Sequence, residues 1–270
     1  VLNRPARRRY YGFMVTRGAR KAGKAILRRL GYEVRPIGIA PEKIAAEAGA
    51  AHAHCYKPYA SRWPIFSPWT LDDFQSVYRP VADFTAGSTE RAFMLTRFAE
   101  HAKYLPGDFG ESGVYRGGSA YLLCRILRGS GKKLFLFDSF QGLPKPDAGR
   151  DPHFKEGEYA APLAAAEERL KEFSGIADFR VGWIPEVFSG LENTRYAFAH
   201  IDVDLYRPTL DSCKYFYPRM TPGGVMVFDE YGFPSAHGEK VAVDEFFADK
   251  PEQPVPLITG QAFVLKLPAD

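Results

Sequence analysis

Cysteine is scarce in this chain. Cys55, Cys124 and Cys213 are the three in 270 residues, far apart and in no metal-ligand spacing. That excludes a disulfide framework and a thiolate metal site, and reads as buried thiols in a reducing compartment, hence a cytoplasmic protein. Long apolar runs are missing too: no stretch approaches the roughly 20 residues that span a bilayer. The dinucleotide turn Gly-x-Gly-x-x-Gly is absent, and no Gly-Lys-Ser/Thr closes a phosphate loop, which removes the usual dehydrogenase and nucleotide-triphosphate readings. There is no internal repeat and no low-complexity tract. The chain opens on Val1 rather than Met, so a natural start further upstream is expected.

Acids are missing from one region only. Between Arg4 and Arg35, Glu33 alone faces Arg7, Arg8, Arg9, Arg17, Arg20, Lys21, Lys24, Arg28 and Arg29, with Tyr10, Tyr11, Phe13, Ile26 and Leu27 interleaved. A basic, partly amphipathic helix of this kind suits an anionic membrane surface, giving a peripheral contact. The blander reading is a solvated helix packed on the domain or on a second subunit of a homo-oligomer. Nucleic acid is the third reading, and the motifs downstream turn away from it. Residues 1–60 are read as a basic helical N-terminal extension, broken at Gly31, Pro36 and Pro41, and residues 61–270 as the main domain. His52 and His54, beside Cys55, have no acidic partner near them and read as surface histidines.

What is present is an ordinary globular composition, 46% hydrophobic and 25% charged with a net charge of +4. After a helix expected from Ser88, a good N-cap residue, the chain alternates strand and helix. Asp108 to Glu111 is a short extended run. Lys133 to Asp138, Phe179 to Trp183, Tyr196 to Asp202 and Gly223 to Asp229 are apolar runs bounded by turn signals, as in buried parallel strands. Helices are expected over 163–173, 184–191, 209–217 and 240–247. Val255 to Ile258 and Ala262 to Leu267, joined at Thr259-Gly260, read as an antiparallel hairpin. The fold class is therefore α/β, with a mostly parallel sheet and a C-terminal antiparallel hairpin.

Two features carry chemistry. The first is Gly107-Asp-Phe-Gly-Glu111-Ser-Gly113-Val-Tyr115-Arg-Gly117-Gly118-Ser119, a strand, a glycine turn and a helix start. Glycine admits a sharp turn and a close approach of backbone to ligand, and the helix start offers free N–H groups. Glu111 inside the loop repels a pyrophosphate and suits a ligand carrying an ammonium group. The second is a row of acids at strand ends: Glu111, Asp138, Asp202 with Asp204, and Asp229 with Glu230. Ligands bind beyond the carboxyl ends of the strands in open α/β sheets. Glu111 and Asp138 point to a nucleoside, the latter placed for ribose hydroxyls. Asp202, Asp229 and Glu230, all oxygen donors, suit a hard divalent ion, Mg²⁺ or Mn²⁺. Asp204, two residues beyond Asp202, falls on the same face if the strand continues, as an outer-shell ligand or a base.

Five motifs in order then resemble the macrocin O-methyltransferase family: Gly107 to Ser119, Phe137-Asp138-Ser139-Phe-Gln-Gly-Leu-Pro144, Asp202-Val-Asp204-Leu-Tyr206, Tyr217-Pro-Arg-Met-Thr-Pro-Gly-Gly224 and Asp229-Glu230-Tyr-Gly232. The resemblance covers about Ser88 to Val243. It implies a seven-stranded, Rossmann-like methyltransferase sheet, S-adenosylmethionine as methyl donor, a divalent metal, usually Mg²⁺, and a sugar or glycan hydroxyl as acceptor. By position it implies Asp202, Asp229 and Glu230 as metal ligands and Asp204 as general base. It implies cofactor contacts at Ser88, Glu111, Asp138 and the loop residues Gly113, Tyr115, Gly117, Gly118 and Ser119, with Ser139 in the next motif. Glu230 stands where the family usually has Asp.

His153, in a polar insert after the second strand (Lys145 to Phe154), is a rival base over the substrate. A catechol-type phenol is the rival acceptor, since both use adjacent hydroxyls. The non-enzyme alternative is a membrane-attached glycan-binding module led by the basic N-terminus.

Overall fold

The structure, a computed structural model, describes residues 67–268. The basic segment, His52, His54, Cys55 and the boundary expected at residue 60 all lie outside the described residues.

The described chain opens with α1 (Asp72–Tyr78) and α2 (Thr89–Ala102), then alternates β1 (Asp108–Ser112), α3 (Gly118–Leu127), β2 (Leu134–Asp138), α4 (Leu163–Leu170), β3 (Ala177–Val181) and β4 (Tyr196–Ile201). It continues through α5 (Tyr206–Phe216), β5 (Met220–Phe228), α6 (His237–Phe247), β6 (Val255–Pro256) and β7 (Ala262–Leu265). The seven strands form one sheet in the order β3-β2-β1-β4-β5-β7-β6. The first five are parallel, and β7 runs antiparallel to both β5 and β6. The class I methyltransferase arrangement expected from the sequence is thus present, hairpin included.

Parallel strands are covered on both faces, so their residues need no polar alternation. Leu134, Leu136, Phe137, Phe198, Ala199, Val225 and Val227 are all buried. One apolar layer packs α2, α3 and α4 on the sheet through Leu95, Leu123, Leu127 and Leu170. The other packs α5 and α6 through Cys213, Phe216, Val243 and Phe247. Phe188 and Tyr215 stack with centroids 3.9 Å apart, closing that second layer. Cys124 and Cys213 are buried free thiols, as their apolar neighbours imply. Among the described residues no helix is long and apolar enough to cross a membrane.

Two local expectations fail. The helix expected over 184–191 is a single 3₁₀ turn, Glu186–Phe188; Pro185 and Gly190 leave too little uninterrupted chain for more. Ser88 does occupy the N-cap position of α2, but its side chain makes no capping bond.

Candidate active site

β1, β4, β5 and the start of α3 meet at the carboxyl edge of the sheet. Gly113, just past β1, has φ +86°, and a Cβ there would stand 1.7 Å from the carbonyl oxygen of Asp202. Only glycine lets the loop lie against the end of β4. Asp138, at the tip of β2, holds the loop in place. Its Oδ2 accepts the N–H groups of Val114 at 2.7 Å and Tyr115 at 3.0 Å, and its Oδ1 accepts that of Phe140 at 2.7 Å. Oδ2 is filled by its two donors, but Oδ1 keeps capacity for one further donor, so a ligand hydroxyl can still bind.

A pocket opens beside this loop. Gly113, Tyr115, Gly118, Ser119, Asp138 and Ser139, all expected cofactor contacts, line it. Trp183, Ile184, Leu143 and Val203 give it an apolar wall, and Asp202, Asp204 and Glu230 an acidic one. Gly117 stands behind the wall as the N-cap of α3, at φ +81°. Tyr115, Tyr159 and Asp204 line the pocket with φ of 51°, 60° and 59°, a conformation that costs a non-glycine residue roughly 1 kcal/mol or more. Three of the four non-glycine residues with positive φ among the described residues thus gather at this one place, the fourth being Phe140.

Two expected cofactor contacts lie elsewhere. Ser88 is not among the lining residues, and the wall nearby is built by Phe84, Thr85 and Ala86. Glu111 is fully buried behind the rim, where its Oε1 meets Nδ1 of His200 at 2.8 Å. The reason is register: Glu111 on β1 and His200 on β4 are paired neighbours, and their side chains leave the sheet on the same side. Asp204 reaches the pocket by a route other than strand alternation. β4 stops at Ile201, and the left-handed turn at Asp204 brings its carboxyl round. His153 sits half-buried on the insert and does not line the pocket.

Around Asp229 the carboxylates converge. His200, Asp202 and Asp229 each offer a ligand atom within 4.8 Å of the others. Asp229 Oδ1 accepts Gln261 Nε2 at 2.6 Å, and His200 Nε2 stands 3.5 Å from the same oxygen, an electrostatic contact and not a good hydrogen bond. Asp229 Oδ2 is bonded by Nη2 of Arg91, which also meets Glu230 Oε1 at 2.9 Å. Glu239, fully buried at the start of α6, accepts the Glu230 N–H at 2.9 Å.

These groups shift one another strongly. Burial, followed by the charge of Asp229, pushes Asp202 and Glu230 well above the usual carboxylate range. Burial raises Asp204 to about 7. Burial opposes charge on His200, yet the Asp229 and Glu111 carboxylates outweigh it and raise the ring to about 10. Burial also opposes charge on Asp229, and Arg91 and His200 together hold it well below its ordinary value.

Glu230 Oε2, Glu239 Oε2 and His200 Nε2 are buried without a hydrogen-bond partner. Carboxylates pushed toward protonation, orphaned acceptors and an oxygen-rich donor set fit a hard divalent cation. Arg91 and His200 were not picked out from the sequence. His200 carried a signal, lying two residues before Asp202 on a strand. Arg91 carried none, since it sits on a helix far from the acids in the chain.

The profile of the Macrocin-O-methyltransferase (TylF) family matches residues 79–261. A 4'-O-methyltransferase of Streptomyces olivaceus, acting on a dimethoxyrhamnosyl tetracenomycin, is 32% identical over 142 residues, 47% of this chain and 54% of that one. Demethyldecarbamoylnovobiocin O-methyltransferase of Streptomyces niveus is 32% identical over 160 residues, 53% of this chain and 59% of that one. The chain therefore spans somewhat over half the length of the curated relatives it matches. Among solved structures, the O-methyltransferase NovP superposes with a TM-score of 0.58 at 24% identity, covering 68% of this chain and 84% of that one. The calicheamicin methyltransferase CalS11 gives 0.57 at 19% identity, covering 74% and 94%. With the glycine loop, the strand-end acids and the strand order all in place, the chain belongs to the macrocin-O-methyltransferase (TylF) family.

Proposed function

We propose that this chain is an S-adenosylmethionine-dependent O-methyltransferase that works with a divalent ion, Mg²⁺ or Mn²⁺, and methylates a hydroxyl on a sugar of a glycosylated natural product or glycan. The observation that carries the reading is the junction of Gly113 and Asp202, where the glycine loop lies directly against the acid cluster. The two halves of one pocket thus suit a nucleoside donor and a metal-oriented acceptor. The relatives' substrates, a rhamnosyl tetracenomycin and a novobiocin precursor, support a glycosylated acceptor.

S-adenosylmethionine, when bound, brings an electrophilic methyl on a sulfonium. A divalent ion, when bound, acidifies a hydroxyl and orients its vicinal neighbour. Asp202 and Asp229 would hold the ion, with Glu230 as third ligand. His200 carries a proton that opposes ligation, and its part is to fix Asp229 from below. Trp183 and Ile184 offer apolar surface for a flat base, and Asp138 keeps acceptor capacity for ribose hydroxyls. Asp204 lines the same pocket and is the group placed to take the acceptor proton. The Asp204 carboxylate would take the hydroxyl proton as the acceptor oxygen receives the methyl of a bound S-adenosylmethionine, with the carbon–sulfur electron pair retained on sulfur. Holding oxygen, methyl and sulfur in line contributes most of the remaining acceleration. The insert bearing His153 does not bring that ring to the pocket, which favours Asp204 as base.

The test is label transfer from S-adenosylmethionine to a panel of rhamnosyl and related glycosides, with catechols alongside. Transfer to a glycoside that stops in EDTA and returns with Mg²⁺ is expected. Transfer confined to catechols overturns the acceptor assignment, and undiminished transfer in EDTA overturns the metal.

A further inference from the structure

Arg91 is in an unfavourable place for an arginine. It lies in the first turn of α2, where the helix dipole opposes positive charge. Its side chain is 10% exposed, far from the water that usually solvates a guanidinium. Nη2 bonds both Asp229 and Glu230, and the guanidinium carbon stands 5.2 Å from the Phe233 ring centroid. The guanidinium is nevertheless incompletely satisfied, because Nε–H is buried with no partner. Glu230 Oε2 and His200 Nε2, the latter 3.5 Å from Asp229 Oδ1, have no hydrogen-bond partner either. A finished structural ion pair pairs all its buried donors and acceptors, since each unmet group carries its full desolvation cost. This one leaves three unmet.

The geometry points to a competitive role: Arg91 is a resident counter-cation that keeps Asp229 and Glu230 turned inward and that a divalent ion must displace from them. The inference rests on the metal reading above and adds to it a residue that sets metal affinity. One oxygen on each of Asp229 and Glu230 is committed to Nη2. An ion using those oxygens binds only the fraction of molecules in which the guanidinium has withdrawn, so its apparent dissociation constant is raised by the inverse of that fraction. Glu230 fits this role because its arm reaches Nη2 of Arg91, 2.9 Å from Oε1. The pocket wall contains Arg91 itself, so displacement also changes the charge lining the acceptor side.

The experiment is calorimetric titration of Mn²⁺ into chelator-treated, dialysed full-length protein, wild type against Arg91→Met and Arg91→Lys. Methionine removes the charge with little change in length. The expected result is Mn²⁺ binding at least about tenfold tighter in Arg91→Met than in wild type, with Arg91→Lys near wild type. In EDTA, Arg91→Met should also unfold at lower temperature than wild type and regain more of its stability when Mn²⁺ is added. A second readout is taken on the wild-type protein and so survives poor folding of Arg91→Met. The ¹⁵Nε–H resonance of Arg91, assigned by its loss in Arg91→Lys, should shift as Mg²⁺ is added. Mn²⁺ binding to wild type that is unchanged or weaker in Arg91→Met, or an Arg91 resonance unmoved at Mg²⁺ saturation, overturns the competitive role and leaves the metal site standing. Absence of binding to wild type and both variants overturns the metal reading itself, and this inference with it.

Discussion

Gly113 and Asp202 approach so closely that the loop of the first strand rests on the end of the fourth: a methyl on Gly113 would overlap the Asp202 carbonyl oxygen. The glycine loop and the acid-bearing strand end thus share one packed boundary. Gly113→Ala is expected to lower both S-adenosylhomocysteine affinity and Mn²⁺ affinity, each by at least about tenfold, since φ is positive and the space is filled. Calorimetry with each ligand in turn checks it, and loss of one affinity with the other intact contradicts the coupling.

Glu111 reads differently in sequence and in structure. Its place in the loop suggested a ligand contact, and its burial against His200 suggests a support. Glu111→Gln should therefore cost about 3 kcal/mol of unfolding free energy in urea, because a charged ring loses its charged partner inside the protein. A drop in S-adenosylhomocysteine affinity with stability unchanged would restore the ligand role.

The difference between Glu111 and Asp138 shows what the sequence could and could not reveal. The strands, the glycine loop and the acids at the strand tips follow from apolar runs and turn residues, all local signals, whereas the strand order is a property of the folded sheet. Asp202 and Asp229 were legible because each directly follows an apolar strand, and Asp204 and Glu230 because they lie one or two residues further on. Whether an acid at a tip faces ligand or core depends on its cross-strand neighbour, and the pairing of Glu111 with His200 is a register fact between segments far apart in the chain. Arg91 was illegible for the same reason. Its function comes from a helix docking over strand ends that sequence order does not bring near it.

Asp151, on the polar insert, is 2% exposed and accepts the Tyr206 N–H at 3.0 Å and the Asp147 N–H at 3.1 Å. This ties the insert to the first residue of α5, close behind Asp204. Asp151→Ala should loosen the insert, raising KM for the glycoside acceptor several-fold more than KM for S-adenosylmethionine. Steady-state kinetics with each substrate varied in turn decides it, and equal changes in both contradict an acceptor-side role.

Glu252 supports the antiparallel edge. Lys266 Nζ at 2.6 Å, Tyr217 Oη at 2.7 Å and the Leu267 N–H at 3.0 Å donate to its carboxylate. Burial works against its charge, but these donors prevail and hold it at about 2, below its ordinary 4.5. A carboxyl depressed in the folded state stabilises above its unfolded pKa, and that contribution fades as pH falls from about 4.5 toward 2. Glu252→Gln should cost about 2 kcal/mol at pH 7 and progressively less toward pH 2. Chemical denaturation across that range checks the sign, and a penalty that grows in acid refutes it.

The most direct test of the whole account is an experimental structure grown with S-adenosylhomocysteine and Mn²⁺, searched for anomalous scattering. The account predicts one strong manganese peak shared by Asp202 and Asp229, with the nucleoside in the Gly113–Asp138 pocket and its sulfur turned toward Asp204. Manganese bound elsewhere, or a nucleoside bound with the carboxylates still closed on Arg91 and no peak between them, contradicts it.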